Sequence, residues 1–232
     1  MARGLGSLIR HARHTTVWRR FGTDTMVPKK AYLANLALAA DCLADPAMRD
    51  GAIVECGTWR GGMAAGLATI GGPARDYHFF DSFAGLPPAG AEDGAYAQHA
   101  QRRNTLWHDN NRASRTEFMA VIARVAVPPA RIHVYEGLFG DTLPRAATGP
   151  IAVLRLDGDW YRSTLECLEA LWDKVMPGGL VLIDDYYAWE GCTKAVHAFL
   201  AGREAREAIQ QSCSGKVCFI VKSGGHAGEE ER

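Results

Sequence analysis

Ile151-Ala-Val-Leu-Arg-Leu-Asp157 is a short apolar run that ends on an acid, and Gly179-Leu-Val-Leu-Ile-Asp184-Asp185 repeats the pattern with two. Runs of this length bounded by turn residues read as strands of a buried sheet. Open α/β sheets bind ligands beyond the carboxyl ends of their strands, where these three acids fall. Carboxylates converging there repel one another unless a cation or a proton is shared among them. A hard divalent metal with oxygen ligands is the simplest resolution. The competing reading makes Asp157 and Asp184 turn or capping residues, which are common after strands.

Working outward, strand and helix signals alternate. Ala52–Cys56 reads as a first strand, followed by a small-residue helix over Gly62–Ile70. Tyr77–Phe80 is a second strand ending at Asp81, Ile132–Tyr135 a third, Ile151–Leu156 a fourth and Leu180–Ile183 a fifth. Helices are expected at Ala31–Leu43, Ser163–Lys174 and Cys192–Arg206, and Lys216–Val221 closes the pattern as a late strand. Such alternation implies a mostly parallel sheet with helices on both faces. Phe83–Asn111 interrupts it as a long loop with Pro87-Pro88 and several glycines; loops of that length are usually functional or disordered. Residues 1–30 read as a basic, irregular lead segment, 31–222 as one domain, and 223–232 as a disordered tail. There is no internal repeat.

Composition narrows the partners. The 232-residue chain has a formal net charge of +0 and a pI near 7.1, which argues against nucleic acid or an anionic membrane, both of which favour a basic footprint. No apolar run approaches the roughly 20 residues of a membrane span. The N-terminus is basic and lacks the apolar core of a secretory signal. Cys42, Cys56, Cys167, Cys192, Cys213 and Cys218 are scattered without zinc-site spacing, so buried reduced thiols in a cytoplasmic protein are expected.

Two constellations carry chemistry. Val54-Glu-Cys-Gly57-Thr-Trp-Arg-Gly61-Gly62 is a glycine-rich turn between the first strand and its helix. It departs from G-x-G-x-x-G because Trp59 takes the second glycine position, where a dinucleotide pyrophosphate would meet a bulky side chain. Asp81, 24 residues after Gly57, stands where an acid commonly accepts hydrogen bonds from ribose hydroxyls. An E-x-G turn with a ribose acid and no pyrophosphate glycines points to S-adenosylmethionine, although any α/β fold needs a glycine turn and often has an acid after its second strand.

The second constellation is Asp157 with Asp184 and Asp185, brought to one cleft if their strands are neighbours, roughly 5 Å apart. A magnesium ion there keeps open positions for substrate oxygens, lowers a hydroxyl pKa and fixes the nucleophile. Asp159 either joins this site or caps the following helix. His78, His133 and His197 lie inside regular elements and read as structural, whereas His99 and His108 in the long loop are candidates for substrate contact. Tyr161, Tyr186, Tyr187 and Trp189 flank the acids, where sugar stacking and ordinary packing are equally good readings.

Together these segments resemble the macrocin O-methyltransferase (TylF-type) family of natural-product sugar methyltransferases. The resemblance is carried by Val54–Gly62, Phe80-Asp-Ser-Phe-Ala-Gly-Leu-Pro87, Tyr135-Glu-Gly-Leu-Phe-Gly-Asp-Thr-Leu-Pro144, Leu154-Arg-Leu-Asp-Gly-Asp-Trp-Tyr161 and Gly178-Gly-Leu-Val-Leu-Ile-Asp-Asp-Tyr186. It runs from about Thr25 to Val221. It implies the class I methyltransferase fold, a Rossmann-like doubly wound α/β sheet, mostly parallel with an antiparallel C-terminal strand. It also implies dependence on S-adenosylmethionine and Mg²⁺.

By motif, the resemblance makes Glu55, Gly57, Thr58, Asp81 and Ser82 cofactor contacts. Gly137-Leu-Phe139 resembles the wall near the adenine, and Thr25-Met26 the segment closing over the methionine moiety, with the lead segment serving as a lid. Asp157, Asp184 and Asp185 match the metal ligands, and Asp157 is the candidate base. The implied acceptor is a deoxysugar hydroxyl, on a finished glycoside or on a nucleotide-linked hexose. Arg102, Arg103, Arg112 and Arg115 offer cations for a diphosphate, although a solvated basic loop is the commoner meaning of such a cluster. A homo-oligomer is expected. The rivals are a catechol-type O-methyltransferase and a non-catalytic S-adenosylmethionine-binding scaffold.

Overall fold

A computed structural model describes residues 2–103, 109–203 and 206–224, with side chains from residue 10 onward. In chain order its elements are α1 (Ala2–Phe21), α2 (Lys29–Leu43), β1 (Ala52–Cys56), α3 (Gly62–Gly71), β2 (Tyr77–Asp81), α4 (Gly94–Arg103), α5 (Arg115–Ile122), β3 (Ile132–Glu136), α6 (Phe139–Thr142), β4 (Ile151–Leu156), α7 (Tyr161–Leu171), β5 (Val175–Ile183), α8 (Glu190–Gly202), β6 (Gln210–Gln211) and β7 (Cys218–Val221).

The sheet runs β3-β2-β1-β4-β5-β7-β6. Its first five strands are parallel, and β7 joins β5 antiparallel. This is the doubly wound topology expected of a class I methyltransferase. Strand order reverses between β1 and β4, the place where such sheets open a ligand crevice. Register carries Cys56 to Leu156 and Leu156 to Ile183, so the residues that follow, Gly57, Asp157 and Asp184, emerge at one level.

Two cores flank the sheet. Phe21, Tyr32, Leu36, Phe79 and Phe118 fill one face under α1, α2, α3 and α5. Leu154, Trp160, Leu168, Trp172 and Val196 fill the other under α7 and α8. The near-continuous apolar reading of β1 and β4 is that of strands covered on both faces.

Three expectations are corrected. The lead segment is not irregular, because α1 spans Ala2–Phe21. His14, Val17 and Phe21 form its buried stripe, and Trp18 meets Tyr32 edge-on at 5.0 Å. The segment Phe83–Asn111 is not wholly loop, since it carries α4. Helix α5 was absent from the expected pattern, yet Ser114 and Glu117 form a reciprocal capping box at its start. His108 and most of the tail, residues 225–232, lie outside the described residues. None of the described helices is long and apolar enough to cross a membrane.

Candidate active site

The turn after β1 is built by close approach of two strands. Gly57 has φ +87°, and a Cβ there would stand 1.8 Å from the Asp157 carbonyl oxygen. Its N–H donates to Phe80 at 2.8 Å, while the Asp157 N–H donates to Cys56 at 2.8 Å. Asp81 then draws the turn together. Its Oδ2 accepts from the Thr58 and Trp59 N–H groups at 2.7 and 2.9 Å, and its Oδ1 from Phe83 at 2.8 Å.

Beside that turn stand the acids. One oxygen each from Asp157, Asp184 and Asp185 lie within 4.8 Å of one another. Beneath them the protein supplies a cation of its own, which the apolar reading of Ile151–Leu156 passed over. Arg155 is fully buried and contacts Glu55 at 2.7 Å, Asp157 at 2.8 Å and Asp184 at 2.6 Å. Burial works against its charge, but Asp184, Asp157 and Glu55 outweigh that and hold its pKa above the ordinary value.

One guanidinium does not neutralise this many acids. Burial pushes Glu55 up to about 8 despite Arg155, and Asp159 up to about 8, with neighbouring Asp157 adding to the rise. Asp185 is raised by burial and then by Asp159. Asp157 rises only to about 6, again by burial with Arg155 opposing; its side chain keeps 27% of its exposure. The cluster is poised to take up positive charge, and its donors are hard oxygens of the kind that suit Mg²⁺, Mn²⁺ or Ca²⁺.

Asp159 belongs to this assembly. It sits at φ +59°, its N–H donates to Asp185 at 2.9 Å, and its Oδ1 accepts from the Trp189 indole at 2.9 Å. The Asn111 side chain also hydrogen-bonds to it. Asp93, buried on the segment before α4, accepts from the Tyr161 N–H at the start of α7 at 2.7 Å.

These walls enclose a cleft of about 840 Å³. Met26, Gly57, Thr58, Asp81, Ser82 and Gly137 line it, as do Phe139 and Asp157. Glu55 is not among the lining residues: its carboxylate is buried beneath the turn, with Oε1 against Arg155 at 2.7 Å. Asp184 and Asp185 flank Asp157 just beyond the lining.

Of the other singled-out residues, Tyr161 lines the cleft, and Trp189 packs edge-on against Trp160 at 5.3 Å. Tyr186 bonds His197 at 2.9 Å. His78 and His133 stack at 4.5 Å on β2 and β3. His99, Arg102 and Arg103 are exposed on α4. Arg112 bonds the Ala84 carbonyl, and Arg115 pairs with Glu136. Arg155 had a signal, a charge inside an apolar strand; Asp93 and Asn111 had none, because only the folded segment brings them to the cleft.

Comparison with known proteins agrees with this architecture. The family described as Macrocin-O-methyltransferase (TylF) matches residues 9–218. The 8-demethyl-8-(2,3-dimethoxy-α-L-rhamnosyl)-tetracenomycin-C 4'-O-methyltransferase of Streptomyces olivaceus is 41% identical over 156 residues, 64% of this chain and 58% of that one. The demethyldecarbamoylnovobiocin O-methyltransferase of Streptomyces niveus is 36% identical over 158 residues, 65% of this chain and 58% of that one. The chain thus spans less than two thirds of these relatives' length. Among solved structures, the O-methyltransferase NovP superposes with a TM-score of 0.71 at 28% identity, covering 87% of this chain and 83% of that one. The calicheamicin methyltransferase CalS11, at 20% identity and a TM-score of 0.60 over 92% and 91% of the two chains, shares the fold. With a match over residues 9–218, the chain belongs to the macrocin-O-methyltransferase (TylF) family.

Proposed function

We propose that this protein transfers a methyl group from S-adenosylmethionine to a hydroxyl of a deoxysugar in natural-product biosynthesis, with a divalent metal held by Asp157, Asp184 and Asp185. The observation that carries the reading is the shared cleft at the strand-order reversal: the Gly57–Trp59 turn forms one wall and Asp157 the next. Asp81 and Ser82 are the ribose-side contacts, Gly137 and Phe139 the adenine wall, and Thr58 and Met26 the methionine end. When bound, a hard divalent cation supplies Lewis-acid lowering of the acceptor hydroxyl's pKa. The residues do the rest by orienting donor and acceptor as one assembly.

Asp157 is the nearest proton acceptor to the proposed metal site. Its contact with Arg155 makes it a poor base, which favours a second reading in which Asp159 takes the proton. Asp159 lines the same cleft, forms no ion pair among the described residues, and is held by Trp189 and Asn111.

In this reading residues 31–222 form the methyltransferase domain. Among the described residues of the lid proposed within 1–30, Met26 is the one that lines the cleft. The six free cysteines fit a reducing, cytoplasmic setting, and assembly as a homo-oligomer completes the proposal. Incubation with methyl-labelled S-adenosylmethionine and either rhamnosides or catechols tests it. Label in the rhamnoside supports the reading, label in the catechol alone favours the catechol-type rival, and cofactor binding without turnover of either favours the scaffold.

A further inference from the structure

Asp159 is held in the cleft by a segment far from it in sequence. Asp109, Asn110 and Asn111 take φ +49°, +53° and +57° in succession, whereas left-handed residues normally occur singly. The turn is fixed without help from the Asn111 side chain. The Asn110 carbonyl accepts from the Leu86 N–H at 3.0 Å, its Nδ2 donates to the Leu86 carbonyl at 2.9 Å, and its Oδ1 accepts from Gln101 at 3.1 Å. The Arg112 N–H closes the turn onto Asp109 at 3.0 Å. A Cβ at Gly85 would stand 2.6 Å from the Asn110 carbonyl oxygen, so the two segments meet backbone to backbone.

The Asn111 amide is therefore spent elsewhere. Asn111 and Asp159 both line the cleft, and the amide donates to the Asp159 carboxyl, whose Oδ1 also takes the Trp189 indole at 2.9 Å. The amide's own oxygen is buried and has no hydrogen-bond partner among the described residues. A buried acceptor left unmet costs free energy, so packing alone does not account for an asparagine here. From the other side, Trp59 of the glycine turn donates through Nε1 to the Arg112 carbonyl at 3.1 Å, while its N–H holds Asp81 at 2.9 Å. One short bracket, Asp109–Arg112, thus runs from the donor wall to the acid cluster.

We infer that Asn111 is a positioning residue for methyl transfer: its amide fixes the Asp159 carboxyl toward the reacting hydroxyl, and the bracket sets that carboxyl relative to the methyl-donor turn. This rests on the proposed methyl transfer and deepens it, adding a residue from the long segment after β2. Asp159 is the group that meets the acceptor, and Asn111 acts through it.

Two variants of the whole chain test it. Asn111→Gly removes the amide at a left-handed position that glycine adopts freely. Asn111→Asp keeps the shape and replaces the donor with an acceptor. Hydrogen bonds to charged groups belong to the stronger class, so kcat for labelled methyl transfer to 4-nitrophenyl α-L-rhamnoside should fall roughly 10- to 100-fold in each. The KM for S-adenosylmethionine, the calorimetric affinity for S-adenosylhomocysteine and the urea midpoint should stay at wild-type values. Crystal structures of the wild type and Asn111→Gly should show the Asp159 carboxyl turned away from its wild-type orientation in the variant. Wild-type kcat in both variants, or an unmoved Asp159 carboxyl, overturns the inference. Loss of cofactor affinity and stability in step with kcat also overturns it, by making Asn111 a scaffold residue of the turn. If the wild type methylates no acceptor the proposed function fails, and the pair of structures still decides whether Asn111 holds Asp159.

Discussion

Arg155 on β4 and Glu55 on β1 are direct cross-strand partners, joined at 2.7 Å with side chains 0% and 1% exposed. The pair ties the strand that leads into the glycine turn to the strand that leads into Asp157. Buried ion pairs contribute little net stability against apolar substitutes, but breaking one leaves an uncompensated charge. Arg155→Met should therefore cost about 3–5 kcal/mol in urea denaturation. The double variant Arg155→Met/Glu55→Gln should recover part of that loss. A single variant as stable as the wild type would remove Arg155 from the centre of the account.

Gly57→Ala places a methyl group on the Asp157 carbonyl in a backbone region that side chains rarely adopt. Both the turn and the end of β4 must shift. S-adenosylhomocysteine affinity and metal affinity should fall together, each by tenfold or more on the order of magnitude of a 1.4 kcal/mol loss. Calorimetric titration of each ligand reads this, and loss of one affinity alone would uncouple the two walls.

Asp81→Asn keeps the shape but turns part of a carboxylate that accepts three backbone N–H bonds into a donor. Hydrogen bonds to a charged group are worth about 1.5–3 kcal/mol, so S-adenosylhomocysteine binding should weaken roughly 10- to 100-fold. Unchanged affinity would mean that the turn holds its conformation without Asp81.

How far the sequence speaks varies with the physics. The sheet was legible because each strand is an apolar run ended by a turn residue or an acid, and the position of the cleft followed from where those runs end. Helix α1 was hidden because arginines dominate its composition, while the stripe His14, Val17 and Phe21 that buries it is sparse. The capping box at Ser114 was present in the sequence as Ser-x-x-Glu, yet no long apolar pattern drew attention to it. Glu55 shows a deeper limit. Which way a strand-end acid faces depends on the cross-strand neighbour, and only register reveals that neighbour to be Arg155. Asn111 reaches Asp159 through a left-handed turn over Asp109–Asn111, which has no local signature beyond its composition.

His78 offers a pH test away from the carboxylates. Burial, then the stacked His133, lowers its pKa to about 4, with Asp76 opposing and Lys174 assisting. Its Nδ1 faces the Tyr135 hydroxyl at 3.1 Å. Between the unfolded value near 6.5 and about 4 the unfolded chain binds more protons at this site, so its contribution to stability falls as pH drops through that window and is constant above it. A single proton contributes at most about 1.4 kcal/mol per pH unit. His78→Asn should therefore lose less stability than the wild type between pH 7 and 5 in urea titrations. Parallel losses would contradict the assignment.

The central claim is that Asp157, Asp184 and Asp185 hold a divalent cation without which methyl transfer stops. The direct measurement follows transfer from methyl-labelled S-adenosylmethionine to a rhamnoside in EDTA and after readdition of Mg²⁺, alongside a folded Asp157→Ala variant. The account predicts loss of turnover in EDTA, recovery with Mg²⁺, and an Asp157→Ala protein that binds S-adenosylhomocysteine but does not turn over. Full activity in EDTA, or normal turnover by the folded variant, would contradict it.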